Sequence, residues 1–285
     1  MEIVLTTGDG DCETAARRAV EDGCTHLFIG GGDGTLNEAL NGVAAIDGAL
    51  ATTTFGVIPL GTGNDFVRAL GIPGDLDEAL ATLLEDKVVD VDLGVVNGRV
   101  FANVSGGGFI AEVSEAVTPQ MKSIVGRLAY LLGGAQALLE FDPVPASVTT
   151  QEAGSGPVAS SCGTEQIQST LYAFAVCNSR LIGGGRLIAP HAVIDDGLLD
   201  ICLIDAMSAL DFVALLRQVS DGGHIDDPRV RYLRAASVQM EFARTIRINT
   251  DGEVLEASRC DYRILPRAAH FLGADAPFAA AESVG

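Results

Sequence analysis

The first ninety residues alternate short apolar runs with stretches of helical periodicity, and this alternation constrains the fold more than any other feature of the chain. The apolar runs are "EIVLTT", "THLFIG" and "FGVIPLG", and the helical stretches are "CETAARRAVEDG", "GTLNEALNGVAAI", "NDFVRAL" and "DLDEALATLLED". Strands that alternate with helices form parallel sheets, because each helix returns the chain to the same end of the sheet. We therefore expect a parallel α/β domain of the nucleotide-binding type over residues 1–92.

The pattern changes near residue 92 to paired strands. Runs "VDLGVV" and "RVFANVSGG" flank Asn97-Gly98, a dipeptide typical of tight hairpins, and further strand-like runs follow as far as "CDYRILP". Helical periodicity returns around 123–140 and 208–220, and residues 152–166 have the composition of a loop. This pattern predicts a larger, mostly antiparallel domain over residues 93–267, with residues 268–285 packing back on the first domain.

Charge argues against nucleic acid as a partner, and hydropathy argues against a transmembrane helix. The chain has 38 acidic and 18 basic residues, a net charge of −20, and only two lysines, so nucleic acid is not expected as a partner. A high-salt cytoplasm or a GC-rich genome would each explain this composition. The start of the chain lacks the pattern of a signal peptide, and the most apolar segment, 124–139, is interrupted by Arg127, so we expect a cytoplasmic protein without a transmembrane helix.

The stretch "LFIGGGDGTLNEAL" at 27–40 places four glycines between a predicted strand and a predicted helix. Glycines at such a turn let backbone N–H groups approach a phosphate, and the helix N-terminus favours an anion. The spacing is neither GxGxxG nor a Walker A motif. Asp33 would repel a bare phosphate, so we expect it to contact a ribose hydroxyl, a metal or a transferred proton. Tight packing of a βα turn is the alternative interpretation.

A second loop, "VIPLGTGNDFVRAL" at 57–70, repeats this arrangement one βα unit later. The carboxyl ends of neighbouring parallel strands meet at one crevice, so the two glycine loops are expected to converge on one ligand.

The pair "GGDGTLNE" and "PLGTGNDF" is similar to the diacylglycerol kinase and sphingosine kinase family, most closely to soluble bacterial diacylglycerol kinases. Further matches are "FANVSGGGF", "KSIVGRLAY", "NSRLIGGGRLIAPHAVIDDGLLD" and "DGE". NAD kinases share the GGDGT element, but their other motifs are not recognised in this sequence. The resemblance implies a Rossmann-like α/β domain and a larger antiparallel β-sandwich domain, with the active site in the cleft between them. It also implies transfer of the γ-phosphoryl group of ATP, with Mg²⁺, to a lipid hydroxyl such as that of diacylglycerol at the membrane surface.

The resemblance also implies site residues, position by position. Glu253 matches the general base, Asp33 and Asp65 belong to the catalytic polar network, and Asp196 would bind Mg²⁺ with the backbone carbonyls of Val193 and Leu198. The residues expected to hold ATP are Thr6, Gly31, Gly32, Asp33, Gly34, Thr35, Asn37, Gly61, Thr62 and Asn64.

The chain departs from the family pattern at its start, where a strand and an Asn-Pro-x-(Ser/Ala)-Gly type of turn are expected before "EIVLTT". A misassigned start or a shortened relative would explain the departure. Other functions therefore stay open: a non-catalytic nucleotide- or lipid-binding relative, or a kinase of a soluble acceptor such as NAD. Residues 122–141 would form an acyl pocket or a buried core helix, Arg229, Arg231 and Arg234 would offer a basic face to a membrane, and an exposed strand edge could form a homodimer.

Overall fold

The computed structural model of the chain describes residues 2–111, 141–151 and 164–274. The helix predicted at 123–140, the acyl pocket predicted at 122–141 except for its last residue, and all but the last three residues of the loop predicted at 152–166 lie outside these ranges. The described helices are α1 (Asp11–Glu21), α2 (Asp33–Ala44), α3 (Asp65–Ala69), α4 (Leu76–Leu84) and α5 (Ala209–Gln218), with short 3₁₀ helices at Leu50–Thr52 and Gly223–Asp226. The described strands are β1 (His26–Gly31), β2 (Thr54–Pro59), β3 (Val88–Val96), β4 (Arg99–Phe101), β5 (Val104–Gly108), β6 (Val144–Gln151), β7 (Thr164–Cys177), β8 (Leu181–Ile182), β9 (Arg186–Leu187), β10 (Leu199–Asp205), β11 (Val230–Ala235), β12 (Ser237–Thr250) and β13 (Glu253–Leu272).

The N-terminal part is the parallel α/β unit that the alternating pattern predicts. Strands β1 and β2 pair in parallel, and the last residues of β13 pair in parallel with the other edge of β2, with Phe271 opposite Phe55. The rings of Phe55 and Phe271 stack at 5.3 Å, and Phe66 of α3 meets Phe271 edge-on at 5.0 Å. These buried rings form the centre of the core that joins the helices to the parallel strands.

The C-terminal part is antiparallel, as its paired strand runs predict. From β13 the strand order is β12, β5, β7, β10 and β11, and β6 pairs with both β12 and β7. Strand β7 contributes Phe174 and Val176 to one apolar cluster and Ala175 and Cys177 to another, so both faces of this sheet carry a core. Strand β13 is 20 residues long, and it joins the two parts by pairing with β12 and β3 as well as with β2.

Local turn and cap predictions agree with the structure in two places. Asn97 and Gly98 have φ values of 48° and 90°, which is the geometry that a two-residue hairpin requires and that Gly adopts without strain. The helix predicted around 208–220 forms as α5, and the side chain of Ser208 caps it by accepting from the N–H of Asp211.

The strand predicted for "EIVLTT" is wrong. Residues 2–7 have no regular structure and are exposed, and the side chain of Leu5 is 87% accessible. A strand needs a neighbour for its backbone groups, and within the described residues β1 pairs only with β2. The N–H of Thr7 instead donates to the Asp11 carboxylate at 2.8 Å, so this segment leads into α1.

No helix within the described ranges is long and apolar enough to cross a membrane.

Replacing Phe271 by Ala should lower Tm by about 10 °C, because the ring is fully buried between two other aromatic rings and its loss leaves a cavity. The matched control is Phe28→Ala, since the side chain of Phe28 is 56% exposed. Thermal unfolding followed by circular dichroism measures both variants. Equal effects of the two substitutions would contradict the assignment of Phe271 to the core.

Candidate active site

The two glycine loops predicted to share a ligand touch each other through their backbones. A Cβ atom on Gly61 would lie 2.4 Å from the Cα of Gly32, and a Cβ on Gly31 would lie 2.6 Å from the side chain of Thr35. Such distances exclude a side chain at Gly61 unless the two loops separate, and one at Gly31 unless Thr35 of the same loop moves. The glycines therefore allow the end of β1 and the end of β2 to meet at one place.

Asp33, the acid in the first loop, bonds to the second loop. One carboxylate oxygen accepts from the N–H of Asp65 at 3.2 Å and the other from the N–H of Phe66 at 3.0 Å. These are the first N–H groups of α3, whose own N-cap residue, Asn64, makes no capping bond with its side chain. Asp33 thus caps a helix that starts 32 residues later and fixes the two loops to each other.

Helix α2 begins in the first loop, and no side chain in the described part of the chain caps it. The first N–H groups of a helix lack partners within the helix and carry a partial positive charge. The N-terminus of α2, from Gly32 to Thr35, therefore has the donor geometry that binds phosphate.

Asn64 adds a polar atom without a partner. It has a left-handed backbone with φ 51°, and its Nδ2 donates to the carbonyl of Gly61 at 2.9 Å. Its Oδ1 is buried and has no hydrogen-bond partner among the residues that the structure describes. An orphaned buried acceptor between the two loops is compatible with a ligand donor such as a nucleotide hydroxyl or amino group.

Asp65 extends the arrangement to a third segment. Its carboxylate accepts from the N–H of Gly184 at 2.9 Å and from the N–H of Gly185 at 2.7 Å. Gly183, Gly184 and Gly185 all have positive φ, between 62° and 103°, which turns their backbone around the carboxylate. Burial raises the pKa of Asp65, while the bond from Gly184 lowers it and the nearby Asp33 charge raises it further.

Gly184 and Gly185 contact a predicted site residue, although the sequence analysis assigns neither of them a role. Their run "GGGR" belongs to a segment that matches the family. Three successive glycines between two short strands are the signal that would have marked a backbone site for an anion or a carboxylate.

The turn that carries Glu253 lies against the start of α2. A Cβ on Gly34 would be 3.7 Å from the carbonyl oxygen of Asp251, and a Cβ on Gly252 would be 3.7 Å from the Cα of Gly34. Asp251 and Gly252 have φ values of 48° and 99°, so they form a tight turn between β12 and β13. The predicted base and the predicted phosphate loop are therefore neighbours.

Asp251 anchors this turn with its carboxylate. It accepts from the N–H groups of Ala102, Asn103 and Val104 at 2.7, 3.0 and 2.8 Å. Burial raises the pKa of Asp251 to about 7, against the lowering effect of these three donors. In the sequence Asp251 stands out only as part of "DGE", and its role as an anchor emerges from the fold.

Glu253 is held by an arginine that no sequence motif indicates. One terminal nitrogen of Arg99, on β4, contacts the two carboxylate oxygens of Glu253 at 2.8 and 2.7 Å. The same guanidinium contacts both oxygens of Glu13 on α1, at 3.1 and 2.9 Å. The pKa of Arg99 is raised, chiefly by the hydrogen bonds with Glu13. Arg99 therefore orients Glu253 and shares its charge with a second carboxylate.

The other residues predicted to hold ATP lie in different surroundings. Thr62 is exposed on the second loop, and Thr35 is partly buried in the first turn of α2. Asn37 is buried and turned inward, where its Oδ1 accepts from Asn41 at 3.1 Å. Thr6 lies in the exposed segment before α1, outside any strand. Of these residues, Thr62 and Thr35 lie on the two loops that meet.

The loop predicted to bind Mg²⁺ already holds a cation from the chain itself. One oxygen of Asp196 accepts from the N–H of Leu198 at 3.0 Å, and the other forms an ion pair with the guanidinium of Arg234. No group of three or more His, Cys, Asp or Glu side chains in the described ranges could hold a metal ion. The donor set of Asp196 with the carbonyls of Val193 and Leu198 consists of oxygens, as Mg²⁺ prefers, but as arranged it does not fit an added cation, because Arg234 occupies the carboxylate.

Comparisons with known proteins identify the family of this chain. Residues 1–96 match the family model described as "Diacylglycerol kinase catalytic domain", and residues 103–273 match the one described as "YegS C-terminal NAD kinase beta sandwich-like domain". A diacylglycerol kinase of Bacillus subtilis (strain 168) is 32% identical over 249 residues, which are 87% of this chain and 77% of that protein. A protein of Pseudomonas aeruginosa (strain UCBPP-PA14) named "Probable lipid kinase YegS-like" is 34% identical over 268 residues, 94% of this chain and 83% of its own length.

A crystal structure of a diacylglycerol kinase from Bacillus anthracis str. Sterne has the same fold, with a TM-score of 0.70 and 22% identity over 96% of this chain and 85% of that one. The relatives and the two family models define a lipid-kinase-like phosphotransferase. The chain belongs to the family of diacylglycerol kinases and YegS-like lipid kinases, as its two glycine loops indicate.

Replacing Gly61 by Ala should lower Tm by about 5 °C, because the new methyl group would overlap the backbone of Gly32. Gly74→Ala is the matched control, since no atom lies within 4 Å of a Cβ at that position and its φ is not positive. Thermal unfolding compares the two. A Gly61→Ala variant as stable as Gly74→Ala would show that the loops do not need their close backbone contact.

Asp251 should make stability depend on pH. Its pKa is about 7 in the folded chain and near its ordinary value of 3.8 when unfolded, so between these values the folded chain binds the extra proton. The contribution of Asp251 to the free energy of unfolding should therefore fall as the pH rises from about 4 to about 7, and stay low above that range.

The measurement is urea unfolding of wild type and Asp251→Asn across this pH range. The free energy of unfolding of wild type minus that of Asp251→Asn should decrease as the pH rises. The matched control is Asp47→Asn, since Asp47 is exposed. The difference in free energy of unfolding between wild type and Asp47→Asn should stay constant across this pH range. A constant difference between wild type and Asp251→Asn would contradict the assignment.

Proposed function

We propose that this chain is an ATP- and Mg²⁺-dependent lipid kinase, which transfers the γ-phosphoryl group of ATP to the hydroxyl of diacylglycerol or a related lipid at the membrane surface. The observation that carries the proposal is the contact between the uncapped N-terminus of α2 and the turn that presents Glu253. A phosphate site and a carboxylate side by side are what phosphoryl transfer to an alcohol requires, since positioning, charge stabilisation and a proton acceptor supply most of the catalysis.

ATP would bind along the two loops. The N–H groups at the start of α2, in the stretch Gly31 to Thr35, would contact the phosphates, and Gly61, Thr62 and Asn64 would contact the nucleotide from the second loop. The orphaned Oδ1 of Asn64 supports this assignment, because a ligand would supply the donor that it lacks. Magnesium bound to the nucleotide would neutralise phosphate charge, as in other kinases.

Asp33 and Asp65 would serve the reaction as positioning residues. Their carboxylates accept from backbone N–H groups of α3 and of the Gly183–Gly185 turn, which holds three segments together beneath the phosphate site. Because Asp33 faces these donors, its charge is compensated, and this lessens its repulsion of a bound phosphate.

Glu253 would accept the proton of the lipid hydroxyl. Arg99 contacts both oxygens of its carboxylate, which limits the orientations that Glu253 can adopt. Such a held carboxylate can act as a general base once the hydroxyl lies within hydrogen-bond distance of it.

The test is transfer of labelled phosphate from Mg·ATP to diacylglycerol in vesicles. Glu253→Gln should lower kcat by about a hundredfold or more, the typical loss for a general base, with little change in nucleotide binding. The matched control is Glu256→Gln, three residues along β13, where Glu256 is exposed and pairs with Arg247 at 3.6 Å. This control should keep a rate close to that of wild type.

The remaining outcomes separate the alternatives. Unchanged transfer in Glu253→Gln would remove this residue as the base. Nucleotide binding without transfer to any acceptor would favour a non-catalytic relative. Transfer to NAD in place of lipid would assign a soluble acceptor.

A further inference from the structure

The acidic loop before β10 lies among buried carboxylates that need a compensating positive charge. Asp196 in the loop, Asp200 on β10 and Asp92 on β3 are neighbours, and Asp92 and Asp200 are almost completely buried. Removing carboxylates from water is costly unless each one is paired or hydrogen-bonded.

Arg234 supplies a charge at this place. It lies opposite Asp200 in the pairing of β10 with β11. Its guanidinium pairs with Asp196, and its Nε lies 3.4 Å from Oδ1 of Asp200. Oδ1 of Asp200 also accepts from the hydroxyl of Tyr232 at 2.6 Å, while Oδ2 is buried and has no partner within the described residues. One arginine thus bridges an acid of the loop and an acid of the strand.

The loop is connected by hydrogen bonds to the turn that carries Glu253. The N–H of Gly197 donates to the Asp92 carboxylate at 2.6 Å, and the N–H of Asp92 donates to the carbonyl of Ile194 at 2.7 Å. The side-chain amide of Asn178 donates to the carbonyls of Asp92 and Ala102, at 2.8 and 2.9 Å.

From Ala102 the connection reaches the turn directly. Its N–H donates to the carboxylate of Asp251 at 2.7 Å, two residues before Glu253. A change in the position of the Asp196 loop can therefore pass through these hydrogen bonds, which involve the side chains of Asp92, Asn178 and Asp251, to the turn of the proposed base.

We propose that the guanidinium of Arg234 acts as the cation of the Asp195–Gly197 loop, in place of a bound metal ion, and that it positions through this hydrogen-bond network the turn that presents Glu253. A Mg²⁺ ion on Asp196 would have to displace Arg234, because two cations at one carboxylate repel each other. The first half of the proposal concerns the fold alone, and only the positioning of Glu253 rests on the proposed function.

The test of the first half is thermal unfolding without nucleotide, in excess EDTA and in saturating Mg²⁺. Wild type should have the same Tm in both, since a ligand that does not bind the folded chain does not stabilise it. Arg234→Gln should lower Tm by roughly 5 °C in EDTA, and Mg²⁺ should restore part of this loss because Asp196 is then open to it. Arg234→Lys keeps a positive charge, so its Tm in EDTA should lie between those of wild type and Arg234→Gln. Its Tm should also change less with Mg²⁺ than that of Arg234→Gln.

Arg231→Gln is the matched control. Arg231 lies on the same strand and pairs with Asp205 at 3.2 Å, away from the loop, so its loss should not make Tm depend on Mg²⁺. The proposal is overturned by a wild-type Tm that rises with Mg²⁺ and no longer does so in Asp196→Asn, or by an Arg234→Gln variant that responds to Mg²⁺ no more than Arg231→Gln. If Arg234→Gln does not fold, the wild-type titration and the Lys variant decide.

The second half is measured with Mg·ATP and lipid. Arg234→Gln should lower kcat several-fold while leaving KM for ATP near that of wild type, because the network ends at the Glu253 turn and not at the phosphate loops. Equal changes in kcat and in KM for ATP would overturn the positioning role. Absence of transfer in wild type would contradict the proposed kinase function and would leave the Tm result for the loop standing.

Discussion

The site depends on one interaction, the bonds from the N–H groups of Asp65 and Phe66 to the carboxylate of Asp33. They join the start of α2 to the start of α3, and they hold the two glycine loops in backbone contact. An acid inside a phosphate loop is unfavourable as long as its charge faces the ligand. Here the charge faces the N-terminus of a helix, where it is stabilised, so the same loop can keep an acid and bind an anion.

Four aspartates within the described ranges use this arrangement. The carboxylates of Asp33, Asp65, Asp92 and Asp251 each accept from backbone N–H groups of a segment remote in sequence: α3, the Gly183–Gly185 turn, residues 197 and 267, and residues 102–104, respectively. Charge-assisted bonds of this kind are stronger than neutral ones and need no lysine. In this acid-rich chain, carboxylates thus hold distant segments together through hydrogen bonds, while the N-terminus of α2 stays available to a ligand.

Arginine side chains complement this arrangement at the edges of the site. Arg99 holds Glu253 and Arg234 holds Asp196. The basic membrane face expected around Arg229, Arg231 and Arg234 stays a prediction, and each of these arginines is paired with an aspartate. Their positive charges are therefore directed at the protein's own acids.

Much of the fold was predictable, since alternation of apolar runs specifies strands and helices, and Asn97-Gly98 specifies a hairpin. The two glycine loops were correctly paired because parallel strands end at one edge. The strand expected at residues 2–7 did not form, because β propensity without a neighbouring strand leaves backbone groups unpaired. Arg99 could not have been found, since the two acids that it joins lie 86 and 154 residues away in the sequence.

The sequence by itself determined the order of the elements, the two loops at the ends of parallel strands and the family to which they are similar, because these depend on local periodicity and short motifs. Only the tertiary structure decided what the acids do. Whether Asp33 faces a ligand or a helix N-terminus, and whether Asp196 faces a metal or Arg234, depends on which distant backbone or side chain comes within about 3 Å, the range of a hydrogen bond.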